Sequence, residues 1–248
     1  MAAFMFRSAR LALVVAAASI GILLCPAVRA AGDAIQPFPP GQNAFGMTLQ
    51  DWATAFMQWD NSLPNTGLPD SDPTGLQAGM GQHLPVWFLP SWFFGHSLTR
   101  TIIVPAGYGV MLAGPYNFAL PPPGQFTDQQ ILDESTAGAR MLLDKLTVFT
   151  VSVDGAALAN LQQYRMPTPI FSLVLPPDNP FGITIVAGQD QRRAVAGEGY
   201  FMLFPSFPVG RHVIQMHVKG FDPNNNQAPF DDMLVYNLVV QEPNVPLP

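Results

Sequence analysis

The densest run of oxygen-bearing side chains is Asp70-x-Asp72-x-Thr74-Gly75, which copies the opening of a calcium loop, with oxygens at alternate positions and glycine at the sixth. The twelfth position is Gly81, where a bidentate glutamate is needed. An aspartate-rich turn that holds nearby backbone N–H groups is therefore the favoured reading, and Asp70 and Asp72 stay only a fallback calcium pair. The imidazoles are His83, His96, His212 and His217. No two of them have a usual zinc spacing, and on one strand His212 and His217 face opposite ways. The spacing thus predicts no metal and no other cofactor. Acids such as Asp60, Asp154 and Glu198 are of the type that cleaves glycosidic bonds in pairs, a chemistry that depends on separations the sequence does not give. No Gly-x-Ser-x-Gly elbow or glycine-rich phosphate loop occurs.

All four tryptophans fall between Trp52 and Trp92, together with Phe56, Phe88, Phe93 and Phe94. Flat aromatic faces stack on sugars and other rings. Core packing is the favoured reading for Trp52 and Trp87, whereas Trp92, between Pro90 and Gly95, suits a loop that presents it to a ligand. Arg100 and Arg165 stand out because bases are scarce, and each precedes an apolar run. Pairing with aspartates inside the fold is favoured for both, and bidentate capture of an acidic ligand is the alternative. Trp87, Trp92, Arg100 and Arg165 form the candidate ligand-binding set. If the chain is an enzyme, Asp72, His83, His96 and Arg100 are the candidates, clustered in sequence beside the aromatic run.

Two helices and a series of strands must position these groups. Thr48 to Asp51 reads as a capping box followed by Leu49, Trp52, Ala53, Phe56 and Met57 at helical spacing. Thr127 to Gln130 opens a second helix in the same way. Asn61 to Gly81 reads as a long loop. Val86 to Leu89, Trp92 to Phe94 and Thr101 to Val104 are strand-like, as are Leu146 to Val153, Ile170 to Leu175, Gly182 to Val186, Gly199 to Phe204, Arg211 to Lys219 and Met233 to Gln241. Asp154-Gly155 is a hairpin turn pair. The expected class is mainly β, an antiparallel β-sandwich with two accessory helices, with α+β as the alternative.

Residues 1–30 carry Arg7 and Arg10, an apolar run to Cys25 and a small-residue site at Ala30, the pattern of a cleavable secretion signal. Its removal leaves 8 bases against 17 acids, a charge of −9, and no cysteine. An acidic surface disfavours nucleic acid as a partner. No later run is long and apolar enough to span a bilayer as a helix. The expected organisation is a signal over 1–30, an extended arm over 31–47, one β-rich domain over 48–242 and a Pro-rich tail over 243–248, in a secreted or periplasmic protein.

The chain resembles a family of uncharacterised exported bacterial β-rich proteins. The residues that carry the likeness include Trp52 and Trp59, Asp72-x-Thr74-Gly75, Gln82 with Pro85-Val86-Trp87-Phe88-Leu89, Thr99-Arg100, Val104-Pro105-Ala106-Gly107, Asp154-Gly155, Tyr164-Arg165 with Pro169-x-Phe171, Gly199-Tyr200 and Gly210-x-His212-x-Ile214. It departs from the pattern at His83-Leu84 and in Trp92-Phe93-Phe94. The resemblance implies a shared secreted fold and no activity. The leading expectation is a non-catalytic binding or envelope-interaction domain, with a glycan or envelope component as partner. The alternatives are a secreted hydrolase or lyase acting on a glycan, and a purely structural envelope protein.

Overall fold

Thr48 starts the first helix through a reciprocal cap. Its hydroxyl accepts the Asp51 N–H at 3.1 Å, and the Asp51 carboxylate accepts the Thr48 N–H at 3.2 Å. Two donors at the helix start are thereby satisfied, and α1 runs over Leu49–Ser62. Thr127 and Gln130 repeat the arrangement at the start of α2, Asp128–Leu143. The computed structural model describes residues 34–82, 85–186, 192–222 and 227–242. The signal segment, His83-Leu84 and the Pro-rich tail lie outside the described residues.

The described strands are β1 (Val86–Phe88), β2 (Leu98–Pro105), β3 (Gly109–Ala119), β4 (Val148–Val153), β5 (Ala156–Ala157), β6 (Arg165–Pro167), β7 (Phe171–Val174), β8 (Arg192–Phe204), β9 (Gly210–Asp222) and β10 (Ala228–Gln241). They form two sheets in a mainly β, sandwich-like fold. One sheet has the order β1-β3-β8-β6, with β7 also paired to β8, and the other runs β2-β10-β9-β4-β5. Asp154 and Gly155, both at positive φ, make the tight turn from β4 into β5. In β10, Leu234, Tyr236, Leu238 and Val240 are buried while their neighbours are half-buried or exposed, so one face of that sheet meets the core.

The other sheet is covered on both sides. On β8, Phe201 packs its ring 6.1 Å from that of Phe56 in α1, and Gly197 lies so close to α1 that a Cβ there would sit 2.3 Å from the Met57 sulfur. On the opposite face, Tyr200 meets Phe149 of β4 with ring centroids 4.5 Å apart, and Ala196 packs with Ile131 of α2. Strands buried on both faces lose the apolar–polar alternation, which explains the unbroken apolar run Tyr200 to Phe204.

Three expectations are corrected. The sheets are not wholly antiparallel, because β1 runs parallel to β3 and β2 parallel to β10. Trp92 to Phe94 is not a strand. The carbonyls of Pro90 and Ser91 just before it bind the Arg100 guanidinium instead of a neighbouring strand, and the Trp92 indole is tied to Asp232. Gly182 to Val186 is not a strand either. There the Asn179 side chain accepts the Phe181 and Ile183 N–H groups and donates to the Ile183 carbonyl, supplying locally what a ladder would supply.

Candidate functional site

Asp60 stands one turn beyond Phe56 and two beyond Trp52, on the buried face of α1, and is only 3% exposed. Asp70, 8% exposed, is carried in by the short 3-10 turn Pro69–Ser71. The Ser91 hydroxyl lies between them, 3.0 Å from Asp60 Oδ2 and 2.7 Å from Asp70 Oδ2. The Tyr116 hydroxyl, from β3, donates to the same Asp60 oxygen. Ser91 has one proton to donate and touches two carboxyls, so it serves one of them at a time, and a proton held by the other would complete the group. The Oδ1 atoms of Asp60 and Asp70 are both buried with no donor from another residue.

Burial, followed by the charge of Asp70, pushes the Asp60 carboxyl well above the ordinary range, outweighing the hydrogen bonds from Tyr116 and Ser91. Burial also raises Asp70, while the bond from Ser91, the proton offered by Asp60 and the nearby Arg100 charge pull it down. Asp60, raised further than Asp70, is therefore the member of the pair that more readily holds a proton. Burial and the two carboxylates raise Tyr116 in turn, keeping it a neutral donor.

Above this floor opens a cavity of about 480 Å³. Trp92, Phe93, Phe94, Tyr116, Phe118 and Phe181 wall it, with Asn61, Asn117 and Asp222 adding polar groups. Its shape depends on the break in register between Ala113 and Tyr116 in β3, around Gly114-Pro115, where the strand ceases to pair evenly with β8. Phe118 and Phe181 meet edge to face at 5.7 Å, Trp92 packs edge-on against Phe94 at 5.7 Å, and Phe94 stacks on Phe230 at 4.7 Å. Phe93 is 49% exposed at this cavity.

Of the residues singled out from sequence, Trp92 lines the cavity, with its indole N–H donating to Asp232 at 3.1 Å. Asp70 also reaches it, but as a carboxyl partner of Ser91. Asp72 does not join it. Its carboxylate accepts the Thr74 hydroxyl and N–H and the Gln77 N–H; slight burial pushes its pKa up, and these bonds outweigh that and hold it below the ordinary value. The two oxygen sets of the calcium-like run thus serve different partners.

Arg100 lies behind the floor rather than in the cavity. It donates to the carbonyls of Asp72 at 2.8 Å, Pro90 at 3.0 Å, Ser91 at 2.5 Å and Asp70, so its donors tie loops to β2 and are not offered to a ligand. Arg165 is elsewhere, paired with Asp144 at 2.5 Å and Glu198 at 2.6 Å beside a separate polar cleft. Trp87 is half-buried on β1, and its indole N–H has no acceptor among the described residues. His96 is exposed and does not line the cavity, and His83 lies outside the described residues. Of the residues proposed from sequence for an enzyme, Arg100 thus meets Asp72 only at its backbone carbonyl, and neither these two nor His96 lines the cavity.

Ser91, Tyr116, Phe118 and Phe181 were not visible as site residues in the sequence. Asp60 carried a legible signal, an acid continuing the apolar spacing Trp52, Phe56. Among the described residues no group of three or more His, Cys, Asp or Glu stands ready to hold a metal ion. No helix of the described residues is long and apolar enough to cross a membrane. No family model, curated protein or solved structure matches the chain.

Proposed function

We propose that this chain is an exported binding domain that takes a carbohydrate-class ligand in the cavity over Asp60 and Asp70. The observation that carries the proposal is the union of aromatic walls with a floor of buried hydrogen-bonding groups. Aromatic faces accept the C–H faces of a sugar ring, while carboxyls and amides fix its hydroxyls. A volume of about 480 Å³ lies within the range of small-ligand sites. The secretion-signal pattern of residues 1–30 supports export, and the likeness to exported bacterial proteins agrees with it.

Binding is favoured over glycoside hydrolysis by the carboxyl geometry. Both carboxyls contact one hydroxyl, whereas two-carboxylate glycosidases hold theirs about 5 to 9.5 Å apart across the scissile bond. A glycan array followed by calorimetry tests the proposal. Phe93→Ala and Phe181→Ala should each weaken the best ligand about tenfold, the scale of one lost aromatic contact. Trp87→Ala, away from the cavity, should leave affinity unchanged. Binding that survives both Phe changes, or no glycan binding at all, would overturn it.

A further inference from the structure

We infer that the ligand of this cavity presents an ammonium group, which replaces the proton shared by Asp60 and Asp70, so that binding expels a proton. The inference rests on the cavity being a ligand site and adds the charge of the ligand's polar end; under the carbohydrate reading, the ligand is an amino sugar.

Charge balance decides what can enter. Arg100, from β2, stands behind the pair, and four of its five donors are occupied by carbonyls. With one proton on the pair, its positive charge and the single negative charge of the carboxyls cancel. A neutral ligand leaves that proton in place. An anion would add uncompensated negative charge against buried carboxylates, at high cost. An ammonium that drives off the proton leaves two carboxylates, Arg100 and itself, and the sum is again zero. The exchange therefore puts no net charge into the protein, which is the condition for a charged group to enter a buried site.

The surroundings favour a cation over further protonation. Tyr116 from β3 and Tyr236 from β10 are neutral, the latter donating to the Pro90 carbonyl at 2.8 Å, and burial first of all keeps their hydroxyls from ionising. Asp222, at the end of β9, also lines the cavity. Asp232 of β10 is occupied by Trp92 and Gly95, and the Asp72 carboxylate is turned to Thr74 and Gln77. Tyr116, Phe118 and Phe181 line the cavity, and aromatic ring faces attract ammonium groups. The two buried Oδ1 atoms lack donors, and an ammonium has three to give.

Calorimetry of the full-length secreted protein at about pH 5.5, in two buffers of different ionisation enthalpy, counts the protons released. The probes are phenethylamine against 2-phenylethanol, and D-glucosamine against N-acetyl-D-glucosamine. Each amine should bind at least tenfold tighter than its neutral counterpart, and phenethylamine, charged throughout, should release close to one proton per site. Asp60→Asn, whose amide stands in for the protonated carboxyl, should abolish the release and most of the amine preference while the protein stays folded by circular dichroism. Neutral probes binding as tightly as amines, or no amine binding at millimolar concentration, would overturn the inference; a neutral glycan that binds and is sensitive to Phe181→Ala would at the same time leave the proposed function standing. Phenethylamine binding with proton release while neither sugar binds would instead support the ammonium site and remove the carbohydrate reading.

Discussion

Replacing Asp60 with Asn should make the protein more stable, by an amount that grows with pH. Asp60 is buried with its pKa raised, so the folded state binds a proton that the unfolded chain has already released once pH exceeds the ordinary carboxyl value near 4. Stability due to this group is complete below that value and declines as pH rises toward the folded-state pKa. The substituted amide mimics the protonated carboxyl, able to accept from Tyr116 and donate to Asp70, and it does not titrate. One proton is at stake, so the difference in unfolding free energy between Asp60→Asn and wild type should rise by up to about 1.4 kcal/mol per pH unit above pH 4. Urea unfolding of both proteins at half-unit steps checks this, and other titrating groups largely cancel in the difference. A difference that stays flat or falls with pH would refute the shared-proton description.

Arg100→Met should destabilise by about 3 to 5 kcal/mol in urea unfolding, since four carbonyls lose their donor and Asp70 loses a nearby positive charge; a loss under about 1 kcal/mol would contradict that role. Gly197→Ala should cost about 1 to 3 kcal/mol by overpacking against the fully buried Met57, and Met57→Ala in the same chain should recover part of that loss. Trp92→Phe should cost about 1 to 3 kcal/mol, because the buried Asp232 carboxylate keeps the Gly95 N–H but loses the indole donor; adding Asp232→Asn should lessen the penalty.

Local signals in the sequence were faithful where a short stretch decides the outcome. Both capping boxes, the Asp154-Gly155 turn and the alternation of β10 depend on neighbours within a few residues, and each forms as its spacing predicts. Trp92 to Phe94 has the apolar content of a strand, but the preceding backbone is claimed by an arginine about ten positions away. The site was half legible. Asp60 follows Phe56 on the apolar face of α1, and an acid there calls for a partner. Ser91, Tyr116 and Phe181 come from a loop, an interrupted strand and a second loop, and only tertiary packing joins them over one carboxyl pair. Arg165 met its acidic partners as expected, whereas Arg100 took carbonyls in place of a carboxylate side chain.

Ligand entry between Trp92 and Phe181, above Asp60 and Asp70, is the premise on which the binding and ammonium proposals both stand. Isotope-labelled protein offers four indole N–H resonances as internal reporters, of which Trp92 alone lines the cavity. Titration with the tightest ligand from the glycan and amine probes should shift the Trp92 indole signal while leaving those of Trp52 and Trp87 in place. A shift at Trp87 with Trp92 unmoved would contradict it.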